Sequence, residues 1–390
     1  MANVGIDVKV TNTVLGGVPN VNANSILFVS SATATDDGDM AFALNTPYLL
    51  RSVDDLETLG ITEENNAAIV KHVKGFYNPV SGVDNSGTVL WLVGIAGGTQ
   101  PFTNTVGVVL QTIANGFQFR PRNIIFAFGA LTDTVMTPAL AQTAIDALYD
   151  EGFATVALVP SEVVTATTPS AFADAVADAS NLNAPMVGVV AVRDVPTEGA
   201  ITGRVGGYMA TLPVGTSIGD VSLPAFDDVL YANASGVVPF TAFTSADYKK
   251  VGDKQIIFAR TRAPKNGLWL NDGATAADPA TALSTLEAGR VIASMVDDLR
   301  AFFVNYLNNK IPVTSTGDIQ PTYKQVVLDN ARALVITPYI ESGDISDARL
   351  SLVALDNDMV GTRTWQVTLS ILPAPTLRWI DGFVFYVKNL

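Results

Sequence analysis

The chain of 390 residues has no cysteine and a single histidine, His72. The absence of cysteine excludes disulfides, thiolate zinc sites and cysteine nucleophiles. One histidine cannot build a metal cluster, and it leaves Ser-His-Asp catalysis with His72 as its only base. His72 falls in the middle of a predicted helix between Lys71 and Lys74, so we expect an exposed histidine on the helix face. These two scarcities argue against most nucleophilic and zinc-dependent enzymes.

Charge is also scarce. Charged residues make up 15% of the chain and hydrophobic residues 48%, with a mean hydropathy of +0.31. So little charge fits a protein whose surface is covered by copies of itself. The 23 basic and 37 acidic residues give a net charge of −14. This balance argues against a nucleic-acid partner, whose phosphates require a basic face, and against docking on anionic membranes.

Patterns for phosphate binding and acid–base chemistry are missing as well. No GxGxxG or GxxxxGK[ST] motif is present. The glycines Gly203, Gly206 and Gly207 instead indicate the close approach of a helix. Adjacent carboxylates such as Asp297 and Asp298 have no spacing that would make two of them converge across a cleft. The sequence therefore predicts no catalytic residue, no cofactor and no metal site.

Targeting and membrane segments are not expected either. The first ten residues lack the basic and apolar regions of a signal peptide. The longest apolar runs, such as Ile124 to Ala130 and Met186 to Val192, are too short to span a bilayer. We therefore expect no membrane insertion.

The first two thirds of the chain alternate predicted strands and helices. Buried strands are predicted at 25–30, 89–95, 123–128, 155–159 and 186–192. Helices are predicted at 52–59, 65–77, 139–151, 171–181 and 203–211. Thr137 followed by Pro138 is typical of a helix start, and Ser170 is expected to cap the next helix. Such an alternation predicts a mainly parallel α/β sheet.

The last third has a different character. The longest helical pattern runs from Thr281 to Asn308, and another helix is predicted from Tyr323 to Arg332. Strands are predicted at 255–259, 268–270, 333–340, 351–355, 365–372 and 382–387. Segregated helices and strands predict an α+β domain.

Both ends of the chain have strand-like, apolar patterns. They place hydrophobic residues at Val4, Ile6, Val8 and Val10, and at Phe383, Phe385 and Val387. An unpaired strand is an aggregation liability unless another strand pairs with it. A homopolymer can use such strands for assembly by strand addition between subunits. We therefore expect these seven residues to lie at subunit interfaces.

The predicted fold class is α/β and α+β, with a mainly parallel, three-layer-like α/β block, an α+β C-terminal domain and extended, strand-forming arms. The N-terminal arm is expected at 1–19 and the α/β block at 20–254. A division of the block into sub-domains at about 20–118 and 119–254 is left open. The C-terminal domain is expected at 255–380 and the C-terminal arm at 381–390.

The order of these segments, and three stretches within them, resemble one family. In Pro121 to Pro160 a Pro-Arg-apolar strand leads through a short loop into a helix, a glycine and a second strand. Gly203 to Pro224 has a helix followed by a loop of small residues, and Gly267 to Gly273 has a Gly-Leu-Trp strand that lacks the family's arginine. The pattern is similar to the contractile tail sheath proteins of phages, tail-type bacteriocins and related injection systems.

This resemblance implies a mechanical role. Sheath subunits polymerise around an inner tail tube in an extended, metastable helix and contract into a shorter, wider one. The resemblance places the arms and residues 255–390 in an inner mesh and the α/β block outside. It implies a helical homopolymer with a tube protein, a baseplate and a tail terminator as partners. The location would be a virion tail or injection particle assembled in the bacterial cytoplasm.

The resemblance also suggests where the tube is contacted. In the family a helix of the C-terminal domain touches the tube, so we expect this contact on the helix from Thr281 or on the next one. Arg290 and Arg300 are the candidate tube-contact residues. An ordinary amphipathic core helix would give the same pattern.

Two other classes remain open. A tail-tube or capsid-type protein would keep the structural role, although tube proteins are mostly β. A doubly wound α/β enzyme would need a cofactor fingerprint or a convergent polar site.

Overall fold

A computed structural model describes most of the chain. The described residues are 4–8, 26–37, 40–96, 121–127, 137–150, 153–194, 199–226, 228–232, 238–281, 283–307, 309–354 and 359–374.

A six-stranded sheet forms the centre of the α/β block. Its strands are β2 (Ile26–Ala32), β5 (Pro47–Leu50), β6 (Leu90–Ala96), β7 (Asn123–Ala127), β8 (Val156–Pro160) and β9 (Val187–Val190), in the order β5-β6-β2-β7-β8-β9. Every neighbouring pair is parallel except β5 with β6. The mainly parallel sheet is therefore confirmed. Its strands are continuous apolar runs because parallel sheets are covered on both faces.

The remaining elements of the block lie around this sheet. They are the hairpin β3 (Thr35–Asp37) and β4 (Met40–Phe42), the helices α1 (Asp55–Thr58), α2 (Glu63–Tyr77), α3 (Pro138–Asp150), α4 (Pro169–Ala175), α5 (Thr202–Ala210) and α6 (Ser245–Gly252), a 3₁₀ turn (Phe240–Ala242), and the hairpin β10 (Ala259–Arg262) and β11 (Lys265–Leu270). Thr137 caps α3 as predicted. Thr168, and not Ser170, caps α4, because its side chain accepts from Ala171 N. A strand is predicted at 255–259, but β10 begins only at the last of these residues, Ala259.

Helices α2 and α5 pack closely against each other. A side chain at Gly203 or Gly207 would collide with the backbone of His72 or Phe76, since its Cβ would lie 2.5 and 2.2 Å from their carbonyl oxygens. The predicted close helix approach is confirmed. The prediction that His72 is exposed is wrong, because α5 covers this face of α2. His72 is 2% exposed, and its Nδ1 accepts a hydrogen bond from Gly203 N at 3.4 Å.

The C-terminal part combines helices with an antiparallel sheet. It contains α7 (Leu286–Val304), α8 (Pro321–Ala331), a π-helix (Arg332–Ile336), α9 (Thr337–Glu341), β12 (Ile345–Ala354), α10 (Met359–Thr362) and β13 (Trp365–Pro373). Strand β1 (Val4–Val8) joins this sheet, in the order β1-β13-β12. The strand predicted at 333–340 is wrong. The run continues α8 as helix, because Val335 and Ile336 reach the core from a helical turn.

The buried apolar side chains form two clusters. The first runs from Ile26 to Ala276 and includes Leu286, whereas the second contains Ala154 and core residues from Val291 to Ile371. Residues Ile256 to Phe258, Leu268 and Leu270 belong to the first cluster. The change of core therefore falls near Leu286, and residues from 255 onward begin inside the α/β block.

Candidate assembly site

Strand β1 ties the N-terminal end of the chain to the C-terminal sheet. It runs antiparallel to β13 and occupies one edge of the sheet, with β12 at the other edge. The register pairs positions Val4, Ile6 and Val8 with Ile371, Leu369 and Val367. Those three β13 side chains are at most 2% exposed. Among the described residues no further strand pairs with either outer edge of this sheet, so each edge has backbone groups to offer another strand.

The structure does not describe the other four predicted interface residues. Val10 and the three C-terminal residues Phe383, Phe385 and Val387 lie outside the described residues. Strand β13 ends at Pro373, and the predicted C-terminal arm at 381–390 also lies outside the described residues. The interface role of all seven residues stays a prediction.

Helix α7 lies between the two cores. Thr285 caps it by accepting from Ala288 N, so the helix begins five residues later than the pattern predicted. Its first residue, Leu286, packs in the first cluster, and Met295, Leu299 and Phe303 pack in the second. At Gly289 an added Cβ would lie 2.9 Å from Val156 and 3.0 Å from the sulfur of Met186. The missing side chain lets α7 pack tightly against the central sheet.

A buried group of charges joins α7 to the central sheet. The Arg122 side chain forms an ion pair with Asp297 at 3.3 Å and donates to Ser294 Oγ. Arg300 lies 3.7 Å from the same carboxylate, and its guanidinium stacks over the Tyr149 ring at 5.5 Å. The side chains of the three charged residues are at most 9% exposed. This group is called the Asp297 cluster below.

Arg290 forms a second buried tie. Its Nη2 donates to the carbonyl oxygen of Leu212 at 2.9 Å, and its Nη1 lies 3.4 Å from that of Pro213. Burial lowers the pKa of Arg290 to about 10, against the opposing attraction of Glu287 and Asp344. The guanidinium thus holds the loop after α5 onto α7.

The candidate tube-contact residues Arg290 and Arg300 are buried in this chain, and their contact with a tube stays a prediction. The two residues are 3% and 7% exposed, because α7 has a core on one side and the block on the other. Neither guanidinium reaches the surface of this chain, so the burial argues against direct contact of either with a tube. Sequence reasoning missed Arg122 and Ser294 as members of the Asp297 cluster. Arg122 is the arginine of the Pro-Arg-apolar motif in Pro121 to Pro160, and this motif is the sequence signal that could have identified it.

Two exposed apolar side chains lie on the next helical segment. Val327 and Ile336 face the core, but Val326 is 57% exposed and Leu334, in the π-helix, 70% exposed. We call Val326 and Leu334 the α8 patch. π-helical turns are rare and frequently mark functional positions. The segment is held to α7 by Tyr339, whose hydroxyl donates to Asp298 Oδ2 at 2.6 Å.

Metal and membrane features were also sought. Across the ranges given above, no three histidine or carboxylate side chains are grouped so that they could hold a metal ion. Within the same ranges, no helix combines the length and apolar character needed to cross a membrane.

Two solved structures have a similar fold. One is a chain of the anti-feeding prophage (AFP) baseplate solved by cryo-EM, with a TM-score of 0.61, 10% identity and coverage of 96% of each chain. The other is a chain of the PVC sheath complex of an extracellular contractile injection system in its contracted state. It has a TM-score of 0.61 and 13% identity, and it covers 100% of this chain and 98% of that one. At these identities the likeness is one of fold.

Sequence comparison gives the family. A search of curated proteins finds no match. The model of the DUF2586 N-terminal domain matches residues 4–274, which include β1 and nearly all of the first core. Because this match spans more than half of the sequence, the chain belongs to the DUF2586 family.

Proposed function

We propose that this chain is a structural subunit of a contractile, phage-tail-like particle, and within that particle the sheath subunit. The observation that supports this most is the fold likeness to a chain of a contractile sheath complex over the whole length of both chains. In the proposal the chain has no catalytic role, because its work is stored during assembly and released by repacking.

Assembly would proceed by strand exchange at the three-stranded sheet. The edges at β1 and β12 can each accept a strand by backbone hydrogen bonding. The apolar segment 383–387 of a neighbouring copy supplies such a strand in the proposal. The position of β1 on β13 could likewise be filled by β1 of another copy. Links of this kind keep neighbours connected while whole subunits rotate and slide.

In the proposal the two cores take different positions in the particle. The C-terminal sheet and its helices would form the inner mesh around the tube, and the α/β block would lie outside. Because Arg290 and Arg300 are buried, the proposed tube contact moves to the exposed face of α8 and the π-helix. The α8 patch there offers apolar surface that a partner would cover. Baseplate and terminator proteins would bind the ends of the polymer, and assembly would take place in the bacterial cytoplasm.

A baseplate subunit is the second candidate. The observation favouring it is the equal TM-score to the AFP baseplate chain, again over nearly the whole of both chains. The two candidates differ in copy number, since a sheath repeats along the tail and a baseplate component stays at one end.

Negative-stain imaging of the purified chain tests the sheath proposal. Hollow cylinders or stacked rings are expected, because the strand links need no other protein. A population made only of monomers or dimers, at concentrations up to the solubility limit, would count against a sheath.

A further inference from the structure

A cavity with several polar side chains in its lining lies in the α/β block, far along the chain from the strands of the proposed assembly. It has a volume of about 410 Å³ and lies where α6 ends and the β10–β11 hairpin packs. Its lining includes Asp253 and Gln255 after α6, Arg260 on β10, and Asp272 after β11. Asp253 is exposed and Gln255 is buried, so the cavity runs from the surface into the interior.

Gln255 is the residue that marks this cavity as a site. It is 1% exposed, and within the described part of the chain no donor reaches its Oε1. A buried polar atom without a partner costs stability, so natural proteins keep few of them. Its backbone has a φ of +56°, which is uncommon for a residue with a side chain. Strained, buried polar residues cluster where ligands bind.

The charged groups of the lining are one guanidinium, of Arg260, and two carboxylates, of Asp253 and Asp272. Burial lowers the pKa of Arg260, while Tyr248 and then Asp272 favour its charged form. The Arg260 guanidinium is also stacked on the Tyr248 ring at 5.3 Å. Asn271 is fully engaged: its Oδ1 accepts from Phe258 N at 2.8 Å and its Nδ2 donates to Ile256 O and to Asp272. The lining groups left for a ligand are the Asp253 carboxylate and the Gln255 oxygen.

We propose that this cavity binds an organic cation, an ammonium or guanidinium group that donates to Gln255 Oε1 and pairs with Asp253. A cation of this kind supplies the donor that Gln255 lacks. The group can belong to a small free cation or to a lysine or arginine side chain of a second copy. The site stands independently of the proposed sheath role.

Titration calorimetry with ethylguanidinium, and separately with n-butylammonium, tests this on the purified chain. Saturable binding is expected for both cations and not for N-ethylurea, which has a similar shape but no charge. Gln255→Met should weaken binding about tenfold because it removes an acceptor of a charge-assisted hydrogen bond. Asp253→Asn should weaken it a few-fold, as expected for an exposed charge. Glu162→Gln, an exposed carboxylate outside the cavity, should leave binding unchanged.

Thermal unfolding of each variant checks that a loss of binding does not result from a loss of folding. Gln255→Glu keeps the size of the side chain and adds charge, so it should bind the cations more tightly than the wild type. No saturable binding, or equal binding by wild type, Gln255→Met and Gln255→Glu in folded form, would overturn the proposal. Repeating the titration on assembled polymer separates the two sources. Retained binding assigns the site to a free cation, and lost binding assigns it to a neighbouring copy's side chain.

Discussion

The Arg122 side chain and the Asp297 carboxylate lie 3.3 Å apart, and the two side chains are 8% and 7% exposed. Arg122 precedes β7 of the central sheet, and Asp297 lies on α7 of the second core. A buried ion pair across this boundary stabilises one relative position of the two cores, because separating them would leave charges without partners. The pair therefore couples the α/β block to the C-terminal helices.

The first prediction concerns this coupling. Asp297→Asn keeps the shape of the side chain but leaves Arg122 and Arg300 buried without their shared anion. We expect a loss of about 3–5 kcal/mol in the free energy of unfolding. Denaturant unfolding and calorimetry measure it. The control is Asp329→Asn on α8, an exposed carboxylate that accepts from Gln325, for which we expect a change within about 0.5 kcal/mol. Equal stability of both variants would show that the Asp297 cluster contributes nothing.

The contact between α2 and α5 gives the second prediction. Gly207→Ala would place a Cβ 2.2 Å from the Phe76 carbonyl oxygen, so the helices must separate, and we expect a loss of about 1–3 kcal/mol. Gly75→Ala is the matched control on α2, because its Cβ would lie 3.2 Å from the Cβ of Arg204 and 3.5 Å from the Arg204 backbone, distances that a small shift accommodates. Helix propensity favours alanine by about 1 kcal/mol, so Gly75→Ala should be close to neutral. Thermal unfolding of the two variants distinguishes them. A Gly207→Ala variant as stable as wild type would contradict the close packing.

Tyr339 gives the third prediction, on pH dependence. Burial, and secondly its bond to Asp298, raise the pKa of Tyr339 above its ordinary value of 10.0. Above that pH the unfolded chain releases this proton while the folded chain keeps it, so stability falls as pH rises. Tyr339→Phe should lower stability at pH 7 by about 1 kcal/mol, because the hydrogen bond is lost. Its stability should then fall less steeply than that of wild type between pH 9 and 11.

Comparing wild type with Tyr339→Phe isolates the contribution of Tyr339 to the pH dependence of stability. Tyr77 and Tyr208 also have raised pKa values, caused first by burial, but both proteins contain them. Parallel stability curves for wild type and Tyr339→Phe would contradict the assigned role of the Tyr339 hydroxyl.

The large architecture of the chain is readable from its sequence, and its charge network is not. The parallel sheet was predicted because strands such as Ile26–Ala32 and Asn123–Ala127 are apolar runs between helices. Helix α7 was predicted from its period, but its surroundings were not. A periodic pattern identifies one apolar stripe, and Arg290, Asp297 and Arg300 lie off that stripe. They are buried because a second layer covers them, and this layer comes from residues distant in the sequence, such as Arg122 and Leu212.

Local patterns failed where helix and strand preferences are nearly equal. Ala333 to Ile340 is rich in apolar and β-branched residues, which indicated a strand. Packing against α7 instead continues the helix through a π turn. His72 was expected at the surface because lysines flank it. Its burial depends on Gly203 of a helix that is 131 residues away.

The fourth prediction concerns the α8 patch and depends on the sheath role. The double variant Val326→Ser with Leu334→Ser should fold as stably as wild type, because both side chains are exposed. Its attachment to tubes should drop, since it loses the apolar surface that the tube would cover. Co-sedimentation of the chain with preassembled tubes measures this. Val360→Ser, which changes another exposed valine at 65% exposure, is the matched control. Unchanged co-sedimentation of the double variant would remove the α8 patch from the tube contact.

The fifth prediction tests the C-terminal arm. Deleting Asp381 to Leu390 should leave the α/β block folded, because its core ends near Leu286. The same deletion should abolish cylinders, since neighbouring copies lose the strand that links them. Circular dichroism and negative-stain imaging report the two results. Cylinders of normal length from the truncated chain would rule out this arm as an assembly element.

Cryo-EM of intact particles that contain this chain tests the sheath role most directly. The predicted result is a helical lattice of this chain along the whole tail in the extended state, and a shorter, wider lattice of the same subunits after triggering without ATP. A chain confined to a single ring at one end of the particle, with another protein forming the lattice, would contradict the account.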